Sequence, residues 1–145
     1  MWMYNGKEFT SDMIGDYIGF VYMITDRSNN KKYVGKKLFW STTKLPPLKG
    51  KTRKRKVVKE SDWKKYYGSS EEVKLMVEQK GEDAFYREIL HLCLGKGDLS
   101  YLEAKEQFDR DVLLRDDYYN GIIQCRINHN SLKNLKGSGD DKIST

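Results

Sequence analysis

The hydrophobic pattern changes period several times along the chain, and each change predicts an element. From Phe20 to Thr25 nearly every residue is apolar or β-branched, Asp26 to Lys32 is a polar run, and Tyr33-Val34 resumes the apolar pattern. Such runs separated by turn residues predict a β-hairpin over Ile18 to Lys37. Pairing across that turn brings Tyr22 near Tyr33, with the register left open. Ala84 to Cys93 predicts a third, mostly apolar strand, and Gly95-Lys96-Gly97-Asp98 a turn after it.

Two stretches carry the helical period instead. Ser69 and Glu72 stand at capping-box spacing ahead of Val73, Met76 and Val77, an i, i+3, i+4 stripe that Gly81 ends. Over Leu99 to Arg115 a core stripe of Tyr101, Ala104, Phe108 and Val112 is expected, with Glu103, Glu106, Gln107 and Arg110 on another face. Upstream of the hairpin, Trp2, Tyr4, Phe9, Met13 and Tyr17 are expected to pack on the core. Together these elements predict an α+β domain: a small, mainly antiparallel three-stranded sheet flanked by helices. It is expected to occupy residues 1–132, with 133–145 a flexible tail poor in apolar residues.

Composition narrows the class. The chain of 145 residues is long enough for one core without staples. No apolar run approaches the roughly 20 residues that span a bilayer, so no membrane association is expected. The N-terminus lacks the pattern of a signal peptide, which predicts a cytoplasmic protein. Cys93 and Cys125 suit neither a metal clip nor a disulfide framework. Gly95-Lys96-Gly97 lacks the spacing and the following Ser or Thr of a phosphate loop.

Charge is more informative once divided along the chain. The net charge is +6, yet residues 36–65 hold twelve Lys or Arg against only Glu60 and Asp62. An insertion at about 38–60 contains the cationic arm Lys49, Lys51, Arg53, Lys54, Arg55 and Lys56, preceded by Pro46-Pro47, where helix is disfavoured. A solvated loop is the plain alternative. Phosphate contact is favoured, because neutralising phosphates releases counterions and supplies most non-specific DNA affinity.

Four short words in order resemble the GIY-YIG endonucleases. Phe20-Val21-Tyr22 departs from the family's first word in its first two residues, whereas Tyr33-Val34-Gly35 matches the second. Leu102-Glu103-Ala104 looks like the family's apolar-Glu-small word, and Glu106-Gln107-Phe108 resembles the version in some phage homing enzymes. Tyr118-Tyr119-Asn120-Gly121 stands where the family carries an asparagine after its helix. The expected arginine would fall near Thr43, but no arginine occurs between Arg27 and Arg53.

The resemblance implies a DNA endonuclease dependent on Mg²⁺ (or Mn²⁺), similar to phage homing enzymes and, if phage-encoded, acting in the host cytoplasm. It assigns Tyr22 as general base, Tyr33 as positioning phenol and Asn120 as support. Glu103 is expected as metal ligand, with Glu106 second, and Arg53, Arg55, Lys36 or Lys37 as phosphate clamp. A phenol titrates near pH 10, so Lys36 and Lys37 are expected to acidify Tyr22. One carboxylate with open positions suits Mg²⁺, which keeps most of its waters. A non-catalytic nucleic-acid-binding protein on the same scaffold is the alternative, and a small-molecule enzyme a weaker one. No separate recognition module is evident.

Overall fold

The computed structural model describes residues 1–136. The hairpin forms over β3 (Gly19–Asp26) and β4 (Lys31–Leu38), and the third expected strand is β7 (Phe85–Cys93). Both neighbours of β3 run antiparallel to it, with Tyr22 opposite Gly35 and Ile24 opposite Tyr33. The α+β class and the antiparallel three-stranded heart of the sheet thus stand as expected. Two more strands extend it: β1 (Trp2–Tyr4), parallel to β7, and β2 (Lys7–Phe9), giving the order β2-β1-β7-β3-β4. The N-terminal aromatics enter the core through this added hairpin.

Strand β3 has no polar face because both of its faces are covered. Phe20, Tyr22 and Ile24 pack with Trp2, Phe39 and Trp63 on one face; Val21 and Met23 meet Val34, Leu99 and Tyr118 on the other. Phe20, which breaks the family's first word, is fully buried, its ring 4.9 Å from those of Trp2 and Phe39.

Helix α1 (Glu71–Lys80) lays Met76 and Val77 on the aromatic face and ends at Gly81, whose φ of 87° suits a residue without Cβ. Its cap is Ser70 rather than Ser69: the Ser70 hydroxyl accepts from the Val73 amide at 3.4 Å, while Ser69 turns to Tyr33. Helix α2 (Lys96–Asp109) covers the other face. It begins inside the expected turn, because Gly97 lets the first helical turn press against the backbone of Ser131, a contact that any Cβ would block. Half of the expected stripe is buried, Ala104 and Val112, and the other half, Tyr101 and Phe108, is exposed. Within α2 the buried positions are Asp98, Leu99, Ala104 and Gln107, whereas Phe108 is 63% exposed. Polar residues of α2 face the sheet since they serve the edge strand described below.

Lys133–Lys136, expected as part of the tail, forms a helical turn, and Asn134 packs at Gly95. The remainder of the expected tail lies outside the described residues. The basic insertion is folded: β5 (Trp40–Leu45) and β6 (Arg55–Glu60) pair as a separate two-stranded ribbon joined by residues 46–54. No helix among the described residues is long and apolar enough to cross a membrane.

Candidate active site

Strand β4 is the edge of the sheet, and its unpaired backbone is half covered. The Lys32 amide donates to the Asp117 carbonyl at 2.9 Å, and the Tyr119 amide donates to the Lys32 carbonyl at 2.7 Å. Asn120 then does with its side chain what a strand does with its backbone. Its Oδ1 accepts from the Val34 amide at 3.0 Å, and its Nδ2 donates to the Val34 carbonyl at 2.8 Å. Gln107 Nε2 donates to the same carbonyl at 3.0 Å. Covering stops there, and alternation puts the next outward-facing amide at Lys36.

At this opening the strand carries Gly35, directly opposite Tyr22. The Tyr22 ring lies across the glycine, so that a Cβ there would stand 2.7 Å from Cζ and closer still to the hydroxyl oxygen. Tyr33 is alongside, its ring centroid 6.3 Å from that of Tyr22 and its hydroxyl 3.1 Å from Ser69 Oγ. Gly68, with φ 92°, turns the chain over both phenols, and Tyr66 meets Tyr22 edge-on at 6.0 Å.

The loop that brings Tyr66 is held from beneath by Arg87. Its Nη1 donates to the carbonyls of Lys64 at 3.0 Å and Tyr66 at 2.8 Å, and its guanidinium lies over the rings of Trp2 and Tyr67. Burial lowers its pKa, a cost that the two carbonyls and two ring faces offset.

From the opposite face of β4, α2 brings Glu103 to the same opening. Its side chain is 14% exposed and 3.9 Å from the ammonium of Lys36, which donates to Ser100 Oγ at 2.9 Å. Burial raises the Glu103 pKa, opposed by Lys36. The carboxylate raises the pKa of both phenols, so the two faces of the sheet share one electrostatic site. For Tyr22 the larger causes are burial, then Tyr66 and Tyr33, and its pKa lies well above the phenol value. The expected acidification by lysine is therefore reversed in the free protein: Lys36 is bound to Glu103 and Ser100, while Lys37 pairs with Asp62 at 2.7 Å over the ring of Tyr66.

Against this geometry, the family model described as "Putative endonuclease segE, GIY-YIG domain" matches residues 2–123. The chain belongs to the GIY-YIG endonuclease family. No curated protein and no solved structure gives a significant match.

In this GIY-YIG domain Tyr22, Tyr33, Lys36, Glu103 and Asn120 converge, Lys37 stands beside them over Tyr66, and the other expected residues lie elsewhere. Glu106 is committed elsewhere, to His91 Nε2 at 2.7 Å and Arg110 Nε at 3.1 Å. Arg55 lies at the far end of the ribbon, five ladder steps from its base at Trp40, or about 17 Å away, and Arg53 is in the connecting loop with Lys49, Lys51 and Lys54. Lys56 is one step nearer on β6. Sequence reasoning missed Tyr66, Gly68, Ser69, Gln107 and Arg87. The signal for three of them was the word Tyr66-Tyr67-Gly68-Ser69, of which only Ser69 was read, as a helix cap.

No group of three or more His, Cys, Asp or Glu side chains gathers among the described residues. A single desolvated carboxylate fits a divalent ion that, like Mg²⁺, keeps most of its waters and takes a further ligand from phosphate.

Proposed function

We propose that this nuclease-family domain hydrolyses phosphodiester bonds in DNA at the open edge of β4, in a reaction that depends on a divalent metal. The observation that carries the reading is the meeting of Tyr22, Tyr33, Lys36 and Glu103 around Gly35. Glu103 would hold Mg²⁺ or Mn²⁺, which supplies Lewis-acid stabilisation of the phosphate and the departing oxygen. Lys36 offsets phosphate charge in place of the family's arginine, without a bidentate fork. Tyr22 keeps its proton in the free protein, so it accepts the proton of the attacking water only after its own has passed to solvent, a loss that a cation held by Glu103 would favour. Tyr33, held by Ser69, positions the water, and Asn120 and Gln107 hold the edge in register. The Glu106-Gln107-Phe108 word supports a phage homing-like enzyme acting in the host cytoplasm.

The raised pKa of Tyr22 and the distance of Arg55 from the opening favour one other reading, a DNA-binding protein without chemistry. Supercoiled plasmid separates the two. Nicked or linear product with Mg²⁺ and none with EDTA supports the nuclease; salt-sensitive binding with intact plasmid under both conditions supports the binder.

A further inference from the structure

Among the described residues, the β5–β6 ribbon covers no part of the core. From Thr42 to Lys44 and from Arg55 to Lys59 every residue is exposed, Val57 at 41% and Val58 at 60%. A lone two-stranded sheet is marginal in water, so a ribbon that contributes nothing to the core calls for another reason to be there. Among the described residues it is fastened at its base. The Ser61 amide donates to the Phe39 carbonyl at 2.7 Å, and Glu60 accepts from Ser11 Oγ at 2.5 Å and Trp63 Nε1 at 2.7 Å.

Its charge indicates the partner. Residues 40–60 hold eight Lys or Arg against one acid, Glu60, which the anchor uses. A cleft of about 1250 Å³ joins the base of the ribbon to the candidate site, and Lys36, Lys37, Lys59 and Lys96 line it. Glu60 and Asp62 also line the cleft, but lysines outnumber them there and the only charged residues of the ribbon beyond are basic, so positive charge predominates from Lys36 to the tip of the ribbon, a match for a polyanion.

Dimensions and side chains indicate the groove. Six paired residues span about 20 Å, and two strands about 5 Å apart, with their side chains, suit a major groove about 12 Å wide. The minor groove of undistorted B-DNA, about 6 Å wide, would have to be prised open to admit them. Opposite residues share a face, so Thr43, Arg55 and Val57 lie on one side and Thr42 and Val58 on the other. The first face has no acid. It offers a hydroxyl for base edges, an arginine whose fork fits guanine and an apolar group for a thymine methyl.

We propose that the ribbon enters the major groove of duplex DNA with the Thr43, Arg55 and Val57 face on base edges, and so selects where the site at Gly35 cuts. The proposal rests on the nuclease reading. Its test uses the full chain bound to a mixed-sequence duplex in EDTA and treated with dimethyl sulfate, which methylates guanine N7 in the major groove and adenine N3 in the minor. Bound parent should protect guanine N7 over about one helical turn and leave adenine N3 reactive. Arg55→Gln and Thr43→Val/Val57→Thr should lose at least fivefold of that protection, and Thr42→Val/Val58→Thr should keep it. With Mg²⁺, the first two variants should spread cuts that the parent concentrates. Reactive guanine N7 under bound parent, or equal protection by both face variants, would overturn the proposal. If the parent cuts the duplex while N7 stays open, the ribbon inference alone fails; if it neither binds nor cuts, the nuclease reading fails with it.

Discussion

Gly35→Ala perturbs the candidate site with a single carbon. The new Cβ would lie 2.7 Å from Cζ of Tyr22, where ordinary contact begins at 3.4 Å, so the ring must retreat by about 0.7 Å and the hydroxyl, which lies closer still, by more. Retreat is obstructed, because Tyr22 is 1% exposed and flanked by Trp2, Phe20 and Tyr66. Overpacking of this kind costs about 1–3 kcal/mol. The larger effect is on chemistry: a displacement approaching 1 Å of a reacting group costs up to about 10²-fold in rate. The expected outcome is a folded protein, slightly less stable in urea, with parental DNA affinity and single-turnover cleavage slowed by about 10- to 100-fold. Cleavage within twofold of the parent would show that the Tyr22 hydroxyl need not lie over position 35.

Further outcomes separate the acidic and basic residues. Glu103→Gln should abolish most cleavage with affinity retained, whereas Glu106→Gln should cut nearly as the parent does and lose about 1 kcal/mol of stability through its His91 and Arg110 partners; the reverse result would move the metal ligand to Glu106. Asp26, fully buried and bonded by Lys80, Ser28 and Tyr119, has its pKa lowered from 3.8 to about 2. Its contribution, about 1–2 kcal/mol after solvent screening at Lys80, is present above pH 4 and lost as pH falls through 2. Urea melts of Asp26→Asn should therefore converge with those of the parent at low pH, and a constant gap would refute that assignment. Replacing Lys51, Lys54 and Lys56 by Ala should flatten the dependence of log K on log salt by up to about three units, and an unchanged slope would mean that these lysines touch no phosphate.

Local patterns were legible where one element settles them. The hairpin showed in the apolar run, turn residues and second apolar word of residues 20–34, and Gly81 marked the end of α1. The phase of α2 was not legible, because hydrophobicity marks the core face only when polar residues face water. Here Gln107 is buried on a strand carbonyl and Glu103 is mostly buried at the opening, while Phe108 is outside. The order of Tyr22, Tyr33, Glu103 and Asn120 was readable as a family pattern, and Gly35 as part of a word. Their meeting around an edge strand was not, since it depends on pairing between residues 34 and 120 and on packing across the sheet. Composition identified the cationic segment, but lysines and a Pro-Pro pair hid the alternation of its two strands.

The most direct test of the central claim is single-turnover cleavage of an end-labelled duplex by Tyr22→Phe at saturating protein with Mg²⁺. The substitution keeps the ring and removes one oxygen. The account predicts a rate about 10²–10⁴-fold below the parent with unchanged affinity. A variant that cuts at the parental rate would contradict it and remove Tyr22 from the chemistry.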